Sequence, residues 1–291
     1  MWLSKYILIV SILFSAGLFG MTNEEYVTWW SSYRNTHNLS TELKEMEDHF
    51  INQGLIRYSS NYWNWLNHQN ITQITQFGYE NFKQTVARNY FTWVVQPDHP
   101  YARSIQDLAP KLSVRLPEEE MLKVHSLFTS EESWIFNRLT AHFLNYILKI
   151  GGGPYLEKLE EPLIGNPPCV SYQGRRVSQD IFNSLLEYLP VSHHCPLDTF
   201  STIIEIGAGC GRTAFTFITL HPQVKYVIVD FPPALYVSQK YLSGVFPEKK
   251  VMKFRPFMQF TEVADEYTQA DIVFLMPDQL EKLPDRSGDL F

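Results

Sequence analysis

Two hydrophobic patterns divide the chain. From Thr22 to Ile150 it is aromatic-rich and mostly helical in character. After Thr129, the residues Ile135, Leu139, Phe143, Ile147 and Ile150 recur at helical spacing, and Gly151 is placed to end that helix. Thr22 with Glu25, and Thr129 with Glu132, have the spacing of capping boxes. Pro117 followed by Glu118, Glu119 and Glu120 fits a helix first turn, where acidic side chains meet the positive end of the dipole. No unit recurs, so this stretch reads as a helical accessory domain rather than a repeat array. Beyond Thr202 the pattern changes to short apolar runs: Ile203 to Ile206, Lys225 to Asp230 (KYVIVD) and Asp271 to Met276 (DIVFLM). Helical stretches separate the first three elements, Arg212 to Leu220 and then Ala234 to Phe246 after Pro232-Pro233. Val251 to Phe254 is a candidate for one more short strand. The alternation predicts an α/β unit with a parallel sheet.

Between the two patterns lies a break, GGGPYLEKLEEPLIGNPP from Gly151 to Pro168. Its glycines and prolines bar long regular elements, which places a domain boundary near Gly165. Gln173 to Arg176 form a polar turn, and Ser178 caps a helix, SQDIFNSLLEYL, running to Pro190. A helix just before the first strand can lie across a cofactor pocket. Arg175, Arg176 and Gln179 are therefore candidates to face a cofactor carboxylate or an acceptor, with a solvated helix start as the alternative. At the other end, Trp2 to Met21 is apolar except for Ser4, Lys5, Ser11 and Ser15. It has the features of a secretory signal peptide or a membrane anchor, and a buried N-terminal helix is the plainer alternative. Lys5 before it and Glu24-Glu25 after it would set the bulk of the protein outside the cytosol. Localisation is left open between cytoplasmic and membrane-anchored. The expected division is a hydrophobic leader over 1–21, the helical accessory domain over 22–165 and a ligand-binding domain over 166–291.

Composition narrows the function classes. A chain of 291 residues that is 45% hydrophobic can bury a sizeable core. A formal charge of −7, with no basic run longer than Arg175-Arg176 or Lys249-Lys250, argues against a nucleic-acid partner. Three cysteines, Cys169, Cys195 and Cys210, do not make a disulfide framework. His193, His194 and Cys195 lack a second cluster at metal-ligand spacing, so no metal site is expected and a solvated loop is. The cluster Tyr58, Tyr62, Trp63 and Trp65 suits core packing, with a stacking platform for a sugar ring as the sharper alternative. Asn38-Leu39-Ser40 and Asn70-Ile71-Thr72 match the N-glycosylation pattern, which matters only in a secreted eukaryotic protein.

The chemistry concentrates at TIIEIGAGCGRT, Thr202 to Thr213. A strand, three glycines at alternate positions (Gly207, Gly209, Gly211) and a helix put backbone N–H groups at the carboxyl edge of a sheet. The dinucleotide fingerprint G-x-G-x-x-G/A would need a small residue where this chain has Arg212. The pattern is instead E-x-G-x-G-x-G, with Glu205 two residues before the first glycine. A carboxylate there repels a pyrophosphate and suits a ligand carrying an ammonium and a sulfonium, which is S-adenosylmethionine (AdoMet). Asp230 ends the next strand, where a carboxylate can accept both ribose hydroxyls. Asp278, just past DIVFLM, is placed to take the adenine amino group, or is a simple loop acid. The ligand set read from the sequence is thus Glu205, Gly207, Ala208, Gly209, Gly211, Asp230 and Asp278. No catalytic residue stands out: a hydroxyl acceptor would require a general base or a metal, and His221, at the far end of the helix after the turn, suits a structural role. The competing classes are an AdoMet-binding but catalytically incompetent or partner-completed subunit, and a nicotinamide-dependent oxidoreductase.

EIGAGCGR, YVIVDFPPALYVSQKYL and DIVFLMPDQLEKLPDRSGDLF together resemble a family of sugar O-methyltransferases, a branch of the class I AdoMet-dependent methyltransferases. EPLIGNPP and GRRVSQDIFNSLLEY are similar to what that family carries just before the glycine motif. The resemblance covers Glu161 to Phe291 and, more weakly, the helical part before it. It implies methyl transfer to a hydroxyl of a sugar or glycan acceptor, with Glu205, Gly207, Gly209 and Gly211 lining the methionine part of AdoMet and Asp230 holding the ribose. It also implies a Rossmann-like class I fold with a seven-stranded sheet. LPDRSGDLF looks like the lead into the fourth strand, so the expectation is a partial sheet of the first three strands behind a helical N-terminal domain. On that reading the 291-residue product is truncated, and unstable or inactive alone.

Overall fold

The computed structural model describes residues 20–90 and 128–290. The leader up to residue 19 and the helix start expected at Pro117 lie outside the described residues. No helix among the described residues is long and apolar enough to cross a membrane.

The N-terminal half is helical, and its helices begin where side chains satisfy the free N–H groups of the first turn. Helix α1 (Asn23–Thr36) opens with the Thr22–Glu25 capping box, α2 (Thr41–Asn52) with Ser40 accepting from the Leu43 N–H, and α3 (Asn61–Phe77) with Ser60 accepting from Trp63. Two 3₁₀ segments, Tyr79–Gln84 and Val86–Tyr90, follow. The capping box expected at Thr129 and Glu132 opens α4 (Ser130–Lys149), whose buried stripe includes Ile135, Leu139, Leu144 and Ile147. Phe143 and Ile150 are only half-buried, because the stripe turns toward Phe136, Thr140 and Ala141. The glycine-rich break holds a single turn of helix, α5 (Gly153–Leu156).

Two local expectations are corrected. The polar turn at Gln173 is the tip of a hairpin, with β1 (Val170–Tyr172) antiparallel to β2 (Arg175–Val177). Gln173 and Gly174 both take positive φ, 52° and 77°, the conformation a two-residue hairpin turn needs. Helix α6 (Gln179–His194) is capped by Ser178 as expected but runs through Pro190. Pro190 lacks only one N–H, and buried neighbours such as Leu185, Tyr188 and Leu189 hold the helix across the gap. His193 and His194 therefore sit in its last turn and not in a loop.

Among the described residues the sheet has four parallel strands, the three expected and the candidate short one, in the order β3 (Thr202–Ile206), β4 (Lys225–Val229), β6 (Ile272–Leu275), β5 (Val251–Met252). The short strand at Val251 lies outside β6 rather than beside β4. Helices α7 (Arg212–Leu220) and α8 (Ala234–Val245) follow β3 and β4 and share one face, with Phe215 packed on Tyr241 and Phe246. Helix α9 (Ala264–Gln269), on the step back from β5 to β6, packs through Tyr267 and Val263 on the opposite face. Right-handed crossovers demand this change of face when the direction across the sheet reverses. Covered on both sides, β6 is apolar throughout and β4 is buried from Tyr226 onward, after Lys225 at its start.

The chain's last residues return to the free side of β3. Leu290 pairs in parallel with Ile203, the Ile204 N–H donates to Leu290 O at 2.9 Å, and the Asp289 N–H donates to Thr202 O at 2.9 Å. The strand carrying the glycine turn therefore has a neighbour on each side, and strand order reverses at it.

One hydrophobic core spans both halves. Phe50 of α2 packs on Phe231, and Phe82 on Tyr241. The boundary expected at Gly165 marks a change in chain path but not a break in the core. Lys83, 1% exposed, is inserted between the halves: its Nζ donates to Glu161 Oε1 at 2.7 Å, Asp180 Oδ2 at 3.0 Å and the Tyr241 hydroxyl at 3.4 Å. Ser178 donates to the other Glu161 oxygen. Gly165 fits there because a Cβ would fall 2.3 Å from the Phe82 ring and its φ is +88°.

Candidate ligand-binding crevice at the glycine turn

Alternation along the strands fixes where the carboxylates point. Ile203, Tyr226, Ile228 and Phe274 face the α7/α8 side, while Ile204, Val227 and Val229 face α9. By period two, Glu205 and Asp230 belong to the first set. Glu205 is opposite Ile228 in the register, and Asp230 is two residues further on. The two acids thus share one face at the carboxyl ends of adjacent strands.

Burial raises both acids. Glu205 is pushed up to about 7 by desolvation, against a hydrogen bond from the Tyr226 hydroxyl (3.1 Å to Oε2) and the pull of Arg212. Asp230 is also pushed up to about 7 by desolvation, against N–H bonds from Gly209 (2.8 Å) and Phe231 (2.7 Å). Each is held at one or two points and has further lone pairs. A carboxylate offers about four acceptor sites, so each can still receive a ligand's donors.

The three glycines differ in their reasons. All take positive φ, +80°, +57° and +83° for Gly207, Gly209 and Gly211. A Cβ on Gly207 would meet nothing within 4 Å, so its side faces open space. On Gly211 it would come 3.2 Å from Leu242 and 3.3 Å from Ser238, so this glycine lets α7 start close against α8. Ala208 is buried, and its carbonyl accepts from the Gly211 N–H at 2.9 Å, closing the turn. Arg212 is committed elsewhere: its guanidinium grips Glu187 of α6 at 2.5 and 3.0 Å and reaches Ser184.

The remaining candidates are engaged with protein partners. Asp278 opens a one-turn helix, α10 (Pro277–Leu280), and turns to His49 of α2 (3.2 and 3.3 Å) and Lys282 (3.2 Å), which hold its carboxyl below the usual range despite partial burial. It clamps α2 over the carboxyl edge of β6. Arg175 donates to Leu156 O, Arg176 to Glu161 O and Glu160, and Gln179 is buried beside the Phe136 carbonyl, so none of the three is a solvated helix start. His221 lies between the Tyr188 hydroxyl and Asp198, a structural place. Tyr58 and Trp63 are 71% and 45% exposed, and Tyr62 and Trp65 half-buried, so that aromatic cluster is not core. Asn70 is fully buried with its amide on Tyr90, which excludes it as a glycan acceptor. Tyr90 itself, against Gly209, had no sequence signal. Among the described residues no group of three or more His, Cys, Asp and Glu could hold a metal ion.

Comparison with protein-family models, with curated proteins and with solved structures finds no match.

Proposed function

We propose that the crevice binds S-adenosylmethionine and that the chain serves methyl transfer to an oxygen, with a sugar hydroxyl as the acceptor its sequence resemblance implies. The observation that carries the reading is the placement of Glu205 and Asp230 on one face, at the ends of adjacent strands, on either side of an open glycine turn. AdoMet is cationic and carries a ribose diol. Ionised Glu205 suits the ammonium, Asp230 suits the diol, and the bare side of Gly207 leaves room for close approach. A dinucleotide pyrophosphate would meet Glu205, with Arg212 already neutralised by Glu187. The sulfonium supplies an activated methyl group, and the chain's own contribution is to bind and orient it. We name no general base, and we give Asp278 the role of a clamp, because its two partners are the charged or chargeable side chains His49 and Lys282.

Titration calorimetry with AdoMet and NAD tests the reading, followed by transfer of labelled methyl to a carbohydrate panel. Heat with AdoMet and none with NAD is expected. Glu205→Ala and Asp230→Ala should each weaken AdoMet, and unchanged affinity in both would remove the site. AdoMet binding without transfer to any carbohydrate would overturn the acceptor and leave a binding-only subunit.

A further inference from the structure

The open side of the glycine turn is approached by a side chain from the N-terminal half. A Cβ placed on Gly209 would lie 3.9 Å from Tyr90 Cγ and 4.0 Å from Cδ2. The Tyr90 ring therefore faces the turn across the space that a side chain at Gly209 would fill, without crowding it. A row of amides holds it there. Asn70 Nδ2 donates to the Tyr90 hydroxyl at 3.0 Å, and Asn89 Nδ2 donates to Asn70 Oδ1 at 2.6 Å and to Gln73 Oε1 at 2.8 Å. Asn70 is completely buried. Burying amides is costly unless they are satisfied, and a satisfied chain of them selects one geometry for the group at its end.

The hydroxyl so held has a defined polarity. Asn70 donates to it, and among the described residues no acceptor takes the hydroxyl hydrogen. Desolvation, with Cys210 and Asp230 nearby, raises the phenol well above its ordinary range, so it stays protonated and remains a donor. Asp230, in its ionised form, can only accept. A ribose hydroxyl that donates to Asp230 still has lone pairs to fill.

We propose that Tyr90 contacts the ligand directly: its ring walls the nucleoside at Gly209, and its hydroxyl donates to a ribose oxygen of the adenosine that Asp230 holds. The helical half thereby completes the nucleoside site of the sheet. This rests on the AdoMet reading of Glu205 and Asp230.

The test titrates wild type, Tyr90→Phe and Tyr90→Ala with AdoMet, adenosine and 2′,3′-dideoxyadenosine, recording thermal unfolding beside each. Tyr90→Phe keeps the ring and removes one hydrogen bond, so AdoMet and adenosine should each weaken about fivefold to tenfold. The dideoxy nucleoside, lacking the partner oxygens, should bind both forms equally. Tyr90→Ala should weaken all three. Equal affinity of wild type and Tyr90→Phe for AdoMet, or an equal loss for all three ligands in Tyr90→Phe, overturns the contact. Wild type that binds neither AdoMet nor adenosine overturns instead the reading on which it rests.

Discussion

If Glu205 and Asp230 meet a cationic adenosine derivative, binding must release protons near neutrality. Both acids are lifted to about 7, and only their ionised forms serve, Glu205 for the ammonium and Asp230 for two hydroxyl donors. A group with pKa 7 is about one-tenth ionised at pH 6 and about nine-tenths at pH 8, so each contributes about tenfold in affinity over that interval. The two together give up to about a hundredfold, with the Glu205 titration further raised by the charge on Asp230. The sign follows from the raised values: affinity increases with pH. Glu205→Gln should leave only the Asp230 contribution, about tenfold between pH 6 and pH 8, and lower affinity at pH 8 by about 1.5 to 3 kcal/mol, as expected for a hydrogen bond to a charged group. Calorimetry at pH 6, 7 and 8, in buffers of different ionisation enthalpy, reads the affinity and the protons released. An affinity independent of pH, or the same slope in Glu205→Gln as in wild type, would refute the argument.

Other consequences are cheaper to check. Lys83→Met leaves Glu161 and Asp180 buried without their cation and should cost about 3 to 5 kcal/mol in denaturant unfolding; a loss under 1 kcal/mol would show that the network is dispensable. Gly211→Ala should destabilise more than Gly207→Ala, since both strain φ but only the first collides with Ser238 and Leu242; equal midpoints would contradict the packing role. Glu47, fully buried with Tyr26 and pushed to about 8, is protonated in the folded chain over a range where the unfolded chain is ionised. Stability should therefore fall as pH rises from about 4.5 to 8, and Glu47→Gln should remove about 4 kcal/mol of that fall; identical pH profiles would count against it. Asp278→Asn should loosen the clamp to His49 and Lys282, lowering the unfolding midpoint while AdoMet affinity stays within about twofold, since the lost bonds are to protein partners; a tenfold loss of affinity would return Asp278 to the ligand set.

What could be read in the sequence was local. The boxes at Thr22 and Thr129 hold because donor and acceptor lie three residues apart. The glycine turn and Asp230 were legible because strand, turn and helix follow one another directly, and period two then fixes the shared face. The hairpin at Gln173 was not, because three-residue strands show no periodicity and Gln173 takes positive φ without being glycine. Pro190 misled because a proline's missing N–H is visible in sequence whereas the packing that carries the helix past it is not. The role of Asp278 depended on His49, 229 residues away, and that of Lys83 on Asp180, 97 residues away. Tyr90 belongs to the same class: nothing near it in sequence announces a place beside Gly209.

The core that runs unbroken from Tyr26 to Met276 has a bearing on descent. Exchange of modules between genes succeeds where two folding units meet through a wettable seam. A join made at Gly165 would instead strip Phe231 and Tyr241 of Phe50 and Phe82, and leave Glu161 and Asp180 without Lys83. The helical stretch and the sheet are therefore expected to be inherited as a pair, with substitutions at their joint compensating one another across it.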